Sequence, residues 1–299
     1  MSYRYKAYLQ LLLVSAIWGF AGPVIKFTLR ELSPLVFLFY RFAIAGTFAI
    51  LTLPFFRIKI SPKVLLYSFL TSTIGLGLLF LGYSLTSSIE GALISAIGPL
   101  LTATAGVMFL REHVTAREKL GIAIALIGTL IIVFEPLANG TITSSLLGNL
   151  LVAASVLVGV VLAIMAKVLL RQQSNSAFAL TQLSFAVGLL TTLPIVLLVY
   201  SPANIMDQIR VISFHTHLGV WYMAFASGTL AYSLWHKAQK TIEVGETALF
   251  VYTYPLFAAP LSFLWLKETV SPLFWLGTAI TALGILVAEL KSPRLNSRR

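Results

Sequence analysis

The chain is organised as long apolar runs separated by short polar segments. Ten runs contain no Asp, Glu, Lys or Arg, except that Arg41 interrupts the second of them. They cover residues 7–25, 34–56, 64–89, 91–110, 120–134, 136–166, 172–206, 211–236, 247–266 and 269–288. Their lengths suit helices, which need about 20 apolar residues to cross a bilayer and which satisfy their own backbone hydrogen bonds in lipid. The pattern predicts an all-α integral membrane protein with ten transmembrane helices.

The amino-acid composition also indicates that the chain lies in a membrane. Of its 299 residues, 58% are hydrophobic and 10% are charged, whereas a soluble domain carries about 25% charged residues. We therefore expect the lipid bilayer to be the solvent. The chain has no cysteine, which excludes disulfides, iron–sulfur clusters and Cys-ligated zinc. No cofactor is expected.

Basic residues lie mainly on one side of the predicted topology. With a cytoplasmic N-terminus, the cytoplasmic segments hold 16 of the 21 Lys and Arg residues, and the outer loops hold 3. This bias predicts that both termini, including a basic tail at 291–299, lie in the cytoplasm, with the chain in the cell membrane. It also explains the net charge of +11 without a nucleic-acid partner.

The C-terminal half repeats features of the N-terminal half at an offset of 156 residues. Leu110-Arg-Glu112 matches Leu266-Lys-Glu268, and the pairs Glu90 and Glu246, and Pro99 and Pro255, also coincide. Because each copy holds five helices, the second enters the membrane inverted, as in secondary transporters. We predict two five-helix units, residues 1–135 and 146–290, that surround a central cavity and alternate its access.

Several motifs give the chain a family resemblance. They are Trp18-Gly19, Arg41 to Gly46, the run from Tyr83 to Pro99, Leu110-Arg-Glu112, Glu246, Pro255 and Leu266-Lys-Glu268. On these the chain resembles the drug/metabolite transporter superfamily, and within it the EamA-type ten-helix exporters. The resemblance implies a basket-shaped bundle, export of amino acids or related metabolites, and no ATPase domain. The second copy departs from it, with Gly159 and Gln182 in place of the Trp-Gly and Arg-Phe motifs.

Residues that could contact substrate are aromatic or polar side chains within the spans. A Tyr hydroxyl at membrane depth needs a partner, which favours a cavity, although Trp and Tyr also form interfacial belts. Arg41 could bind a carboxylate, snorkel, or cap a neighbouring helix. The candidates are Trp18, Phe20, Tyr40, Arg41, Tyr83, Ser95, Phe225, Tyr232, Trp235, Tyr252 and Tyr254.

Prolines and carboxylates supply further candidates. Pro23, Pro99 and Pro255 are predicted hinges, because a proline inside a helix frees a carbonyl and bends the helix. Glu90 and Glu246 open the fourth and ninth helices, where each carboxylate either complements the helix dipole or couples transport to protons.

Two further charged positions have simpler interpretations. Lys167, near a helix end, is expected to snorkel to the headgroups. Glu112 follows a basic residue and is expected to pair locally.

The predicted function is secondary export of small neutral or amphipathic metabolites, with a multidrug exporter on the same scaffold as the alternative. A non-transporting membrane protein is a third hypothesis. Neither a zinc-protease HExxH motif nor a phosphate-binding P-loop occurs, so an enzyme is not predicted. Small residues spaced by four, Gly121 with Ala125 and Gly284 with Ala288, allow close helix contact, which leaves a homodimer open.

Overall fold

The computed structural model describes residues 3–56, 58–85, 94–95, 97–112, 115–138, 146–172, 176–254, 256–257 and 272–289. These residues form helices and short connections and contain no strand, which confirms the all-α prediction. The long helices are α1 (Tyr3–Thr28), α2 (Pro34–Thr52), α6 (Ala116–Ala138), α7 (Leu146–Gln172), α8 (Ala177–Val199) and α13 (Pro272–Glu289).

The remaining crossings are divided into shorter pieces. They contain α3 (Pro62–Phe69), α4 (Leu76–Leu85), α5 (Gly98–Leu110), α10 (Phe214–Trp221), α11 (Ala231–Thr241) and α12 (Val244–Leu249). A π-helical stretch, Leu70–Gly75, joins α3 to α4, and a second, Tyr222–Leu230, joins α10 to α11. Short 3-10 turns follow α2 at Leu53–Phe55 and α12 at Phe250–Thr253. The amphipathic helix α9 (Pro202–Val211) lies between crossings.

Helical residues occur in each of the ten apolar runs. Among the described residues, five continuous helical segments are long and apolar enough by themselves to cross a membrane. They are Tyr3–Thr28, Pro34–Phe55, Pro62–Leu85, Leu146–Arg171 and Ala177–Val199.

Serine residues fix the starts of several helices. The side chains of Ser61, Ser176, Ser201 and Ser213 each accept a hydrogen bond from the backbone N–H three residues later. A serine in this position satisfies one of the free N–H groups of the first turn. These polar caps therefore fix where the four helices begin.

The closest helix contact in the bundle joins α6 to α13 through glycines. A Cβ added at Gly121 would lie 2.6 Å from the backbone oxygen of Gly284, and one at Gly128 would lie 2.6 Å from that of Gly277. At the repeat offset, Gly121 corresponds to Gly277 and Gly128 to Gly284. The two contacts are therefore equivalent under exchange of the halves, which is the pattern that a two-fold axis produces.

This contact also occupies the small-residue faces through which two copies of the chain could have formed a homodimer. Gly121 packs against Ala288, and Gly284 packs against Ala125. The glycine faces of α6 and α13 thus bind each other within one chain, and a homodimer stays a prediction that would need another surface.

We expect Gly121→Ala to destabilise the protein by about 1–3 kcal/mol, because the added methyl group meets backbone atoms that cannot move independently. The matched control is Gly22→Ala on α1, an exposed position where an added Cβ meets nothing within 4 Å. Thermal unfolding of both variants in the same detergent measures the difference. Equal melting temperatures for the two variants would contradict the close α6–α13 contact.

Candidate substrate cavity

A cavity of about 300 Å³ lies between the third, fourth, sixth, eighth and ninth crossings. Its polar and aromatic wall consists of Tyr67, Thr71, Ser95, Thr102, Ser155, Tyr232, Trp235, His236 and Gln239. Gly159 opens one side, because a Cβ added there meets nothing within 4 Å. A second concavity, of about 200 Å³ between α2, α4 and α8, has an almost wholly aliphatic lining. The first cavity is therefore the one equipped to bind a polar ligand.

Aromatic rings form one wall of this cavity. The ring of Trp18 lies 5.0 Å from that of Tyr232, 5.2 Å from that of Trp235 and 6.1 Å from that of Tyr254, between centroids. The Trp18 indole nitrogen donates a hydrogen bond of 2.9 Å to the backbone oxygen of Ser227. Since the indole N–H is satisfied inside the bundle, the ring is held in place and presents an apolar face.

A hydrogen-bonded histidine, on the same helix as Tyr232 and Trp235, also lines the cavity. The His236 side chain, 2% exposed, lies with Nε2 2.7 Å from the Tyr67 hydroxyl and Nδ1 2.9 Å from Thr181 Oγ1. Both ring nitrogens therefore have partners although the site is almost without solvent contact. Such a ring is fixed in position.

Gln239 is the polar residue of the wall with spare hydrogen-bonding capacity. Neither its side-chain oxygen nor its side-chain nitrogen has a partner within the described part of the chain, although both atoms are buried. An unsatisfied buried amide is costly, about 1–3 kcal/mol in proteins. A ligand in the cavity would relieve that cost.

Arg41 lies behind Tyr232, adjacent to the cavity. Its side chain is 1% exposed, so the structure excludes the snorkelling alternative. The guanidinium carbon is 5.7 Å from the centre of the Phe42 ring, Nε has no hydrogen-bond partner among the described residues, and Tyr232 interacts with it electrostatically. The described residues supply no salt bridge to this cation.

Lys167 and Glu112 correct two expectations. Lys167 does not snorkel: it is 2% exposed and donates to the backbone oxygens of Gln239 and Ile242 at the end of α11. Glu112 does not pair with the neighbouring Arg111; its carboxylate accepts from the backbone N–H of Val244 at 2.9 Å. Both charges therefore stabilise helix ends distant in sequence, as the helix dipole favours.

Of the two predicted coupling carboxylates, the structure describes one. Glu246 lies in the first turn of α12, as predicted, and is bound by Arg4 at 2.5 Å. Glu90 lies outside the described residues.

The remaining predicted site residues divide into two groups. Ser95, Tyr232 and Trp235 line the cavity, Trp18 packs against Tyr232, Trp235 and Tyr254 next to that lining, and Tyr83 makes a side-chain hydrogen bond to Ser95. Away from the lining, Phe20 packs on Phe257, Tyr40 bonds to His217, Phe225 packs on Phe48 and Trp221, and Tyr252 is buried beside Leu249 and Ile285.

The predicted hinges also occupy different environments. Pro23 is buried within α1, which continues through it, whereas Pro99 stands in the first turn of α5 and lines the cavity. The first turn has free N–H positions, so proline fits there without breaking a hydrogen bond. Pro255 lies outside the described residues.

Tyr67, His236 and Gln239 did not figure among the sequence candidates. A signal for two of them exists in the sequence. Tyr232, Trp235, His236 and Gln239 follow the spacing i, i+3, i+4, i+7, which places them on one face of a helix. All four line the cavity.

An all-helical bundle of long apolar helices around a cavity with aromatic and neutral polar lining residues is the architecture of a polytopic membrane transporter. The sequence profile of the EamA-like transporter family matches residues 5–134 and 146–290. The chain belongs to this family, within the drug/metabolite transporter superfamily.

Similar proteins agree with this assignment. The uncharacterized transporter YyaM of Bacillus subtilis is 26% identical, over 97% of this chain and 96% of its own. A Salmonella typhimurium protein named a probable amino-acid metabolite efflux pump is 25% identical, over 92% of both chains. A crystal structure with 17% identity matches with a TM-score of 0.76 over 97% of this chain and 99% of the other, which shows a shared fold.

We expect Glu112→Gln to lower the free energy of unfolding by about 1–3 kcal/mol, because the neutral amide is a weaker acceptor for the Val244 N–H and brings an unwanted donor. Asp207→Asn, the same change at an exposed position of α9, should alter stability by less than about 0.5 kcal/mol. Thermal unfolding in detergent compares them. A Glu112→Gln variant as stable as Asp207→Asn would show that the cap contributes nothing.

Proposed function

We propose that this protein is a secondary transporter that exports small neutral or amphipathic metabolites, with amino acids or related compounds as its substrates. In the proposed arrangement it lies in the cell membrane with both termini in the cytoplasm. The observation that carries the proposal is the cavity, whose lining combines the aromatic rings of Tyr232 and Trp235 with the unsatisfied amide of Gln239. The name of the Salmonella relative is consistent with this substrate class.

The chemistry of the wall favours a ligand with one apolar and one polar part. Tyr67, Tyr232 and Trp235 offer ring surface, while hydroxyl groups and the Gln239 amide offer hydrogen bonds. No carboxylate belongs to the described lining. The volume lies near the lower limit of about 300–1,000 Å³ for ligand pockets, which fits a small metabolite.

Arg41 supplies a counter-ion for a substrate carboxylate in this proposal. A fully buried cation without a partner is unfavourable, and an anion that reaches it gains a charge-assisted hydrogen bond. Arg41 is not part of the described lining but interacts with Tyr232, which is, so in this proposal a movement of the Tyr232 ring gives the substrate access to the guanidinium. A carboxylate at Arg41 and an apolar side chain against Trp235 together describe an amino-acid-like ligand.

Interrupted helices around the cavity support alternating access. The third and eighth crossings, which are equivalent in the two repeats, each contain a π-helical stretch, at Leu70–Gly75 and Tyr222–Leu230. The first of these lines the cavity through Thr71 and Gly75. Irregular turns at functional sites are common hinges, and in transporters they occur at equivalent places in the two repeats.

The aromatic wall also fits the alternative, a multidrug exporter. Apolar planar compounds stack on Trp and Tyr rings without needing the polar groups of the cavity. The two hypotheses differ in whether hydrogen bonds to the ligand are required.

We expect saturable counterflow of labelled amino acids in proteoliposomes, and at least about a tenfold loss in Gly159→Leu, because the leucine side chain fills the cavity. Gly22→Leu adds the same side chain at an exposed position of α1 with open space around it, and its rate should stay within about twofold of the wild type. Dye efflux without amino-acid counterflow would favour the multidrug exporter. Equal rates for the two leucine variants would exclude this cavity as the transport site.

We further expect the decarboxylated amine of a transported amino acid to compete at least about tenfold less well than the amino acid itself, because it cannot pair with Arg41. Arg41→Gln should remove this discrimination, whereas Arg210→Gln, at an exposed position of α9, should retain it. Inhibition of labelled amino-acid counterflow by the unlabelled amino acid and by the unlabelled amine measures how well each competes in the wild type and in both variants. If wild-type protein binds amine and amino acid equally, Arg41 does not recognise the substrate.

A further inference from the structure

The hydrogen bonds around His236 define where its proton lies. The Thr181 hydroxyl donates to the backbone oxygen of Ala177 at 3.1 Å, so towards His236 its oxygen acts as an acceptor. Nδ1 of the ring therefore carries the hydrogen. Nε2 is left with its lone pair and accepts from the Tyr67 hydroxyl.

This arrangement can take up one proton without a change of partners. Tyr67 and His236 both line the cavity. A proton from cavity water binds the Tyr67 oxygen as the hydroxyl hydrogen passes to Nε2, which leaves a neutral tyrosine and an imidazolium. The imidazolium then donates to Thr181 through Nδ1 and to Tyr67 through Nε2, and both oxygens can accept.

The other titratable groups near α11 do not neutralise the charge so formed. Tyr67 and Tyr232 have ring centres 6.0 and 6.2 Å from that of His236. Other titratable groups lie on α11 and on the elements packed against it, whereas α8 has none. They are Tyr3, Arg4, Tyr5, Lys6, Tyr8 and Lys26 on α1, Tyr222 on the π-helical stretch, Lys167 and Arg171 on α7, Glu246 on α12, and Lys237 and Lys240 on α11 itself. Arg4 and Glu246 bind each other, and Lys167 binds the end of α11. Within the described chain no carboxylate contacts the ring.

We propose that His236 is the proton-binding residue of this transporter and that Tyr67 relays the proton between its Nε2 and the cavity. This assignment rests on the proposed transport function and adds its energy source. It assigns this role to His236 instead of Glu246, one of the two carboxylates expected from the sequence, since Glu246 is engaged by Arg4.

Proton and substrate compete for the same cavity, so the coupling is antiport. A substrate that displaces cavity water removes the solvation that an imidazolium needs, which favours the neutral ring. By linkage, a protonated ring weakens substrate binding by the same factor. One proton therefore enters the cell as one substrate leaves.

Proteoliposomes that contain the full chain separate exchange from coupling. Counterflow at equal pH measures exchange, and accumulation with the lumen about one pH unit more acidic measures coupling. For a neutral substrate exchanged with one proton, we expect up to about tenfold accumulation in the wild type. His236→Gln should lose this accumulation and the pH dependence of counterflow, while exchange stays measurable. Tyr67→Phe, which keeps the ring and removes the relay, should reduce the gradient-driven rate at least about tenfold.

The control is His217→Gln, since His217 bonds to Tyr40 away from the cavity; it should accumulate substrate like the wild type. Wild-type exchange that ignores the pH gradient, or gradient-driven accumulation that survives in His236→Gln, would overturn the proton site and leave the transport function standing. Absence of exchange in the wild type would overturn both. Size-exclusion chromatography of each purified variant confirms that it is folded.

Discussion

The hydrocarbon core of the membrane offers no hydrogen-bond partners, and most polar contacts in this protein follow from that constraint. Threonine hydroxyls within helices bond back to carbonyls one turn earlier, as Thr28 does to Val24 and Thr192 to Gly188. Lys167 binds carbonyls at a helix end in the same way. Among the described residues, several buried polar atoms lack a hydrogen-bond partner, but Gln239 is the one residue in which two such atoms, the side-chain oxygen and nitrogen, both lack one. Because Gln239 also lines the cavity, its amide can bind a ligand there.

The bundle contains one closely packed helix pair, α6 and α13, and a group of interrupted helices around the cavity. Glycines bring the backbones of α6 and α13 so close that neither helix can shift without the other. Around the cavity, by contrast, the third and eighth crossings contain π-helical stretches, and Pro99 begins a new helix. In the proposed alternating-access mechanism, motion would concentrate in the interrupted helices, while the close α6–α13 contact would hold the two halves together.

The predictability of each feature depends on the range of the interaction that produces it. The apolar runs predicted the helices because the length and hydrophobicity of a helix are properties of consecutive residues. For the same reason, Glu246 was correctly predicted to lie in the first turn of its helix. The partners of Glu112 and Lys167 could not be predicted, because these charges stabilise helix ends about 132 and 72 residues away in the chain. The position of Lys167 near a helix end is compatible both with snorkelling to the headgroups and with binding the carbonyl groups at the end of another helix, so its sequence position did not distinguish the two. His236 could have been found from the helical face that it shares with Tyr232.

In the proposed inverted architecture, divergence between the two halves would let protons drive transport in one direction. At the offset of 156 residues, His236 corresponds to Phe80 and Gln239 to Tyr83. Phe80 is buried and stacks on Phe37 at 5.0 Å, so the first half has packing where the second has a titratable ring. Two halves with identical chemistry would make the inward-open and outward-open arrangements nearly equal in energy at any pH. Under the proposed mechanism, a histidine in one half makes their balance depend on protonation, because only a state with unequal proton affinity can be selected by protons. The proposed repeat would thus provide two states, and the loss of symmetry at the cavity would provide control over them.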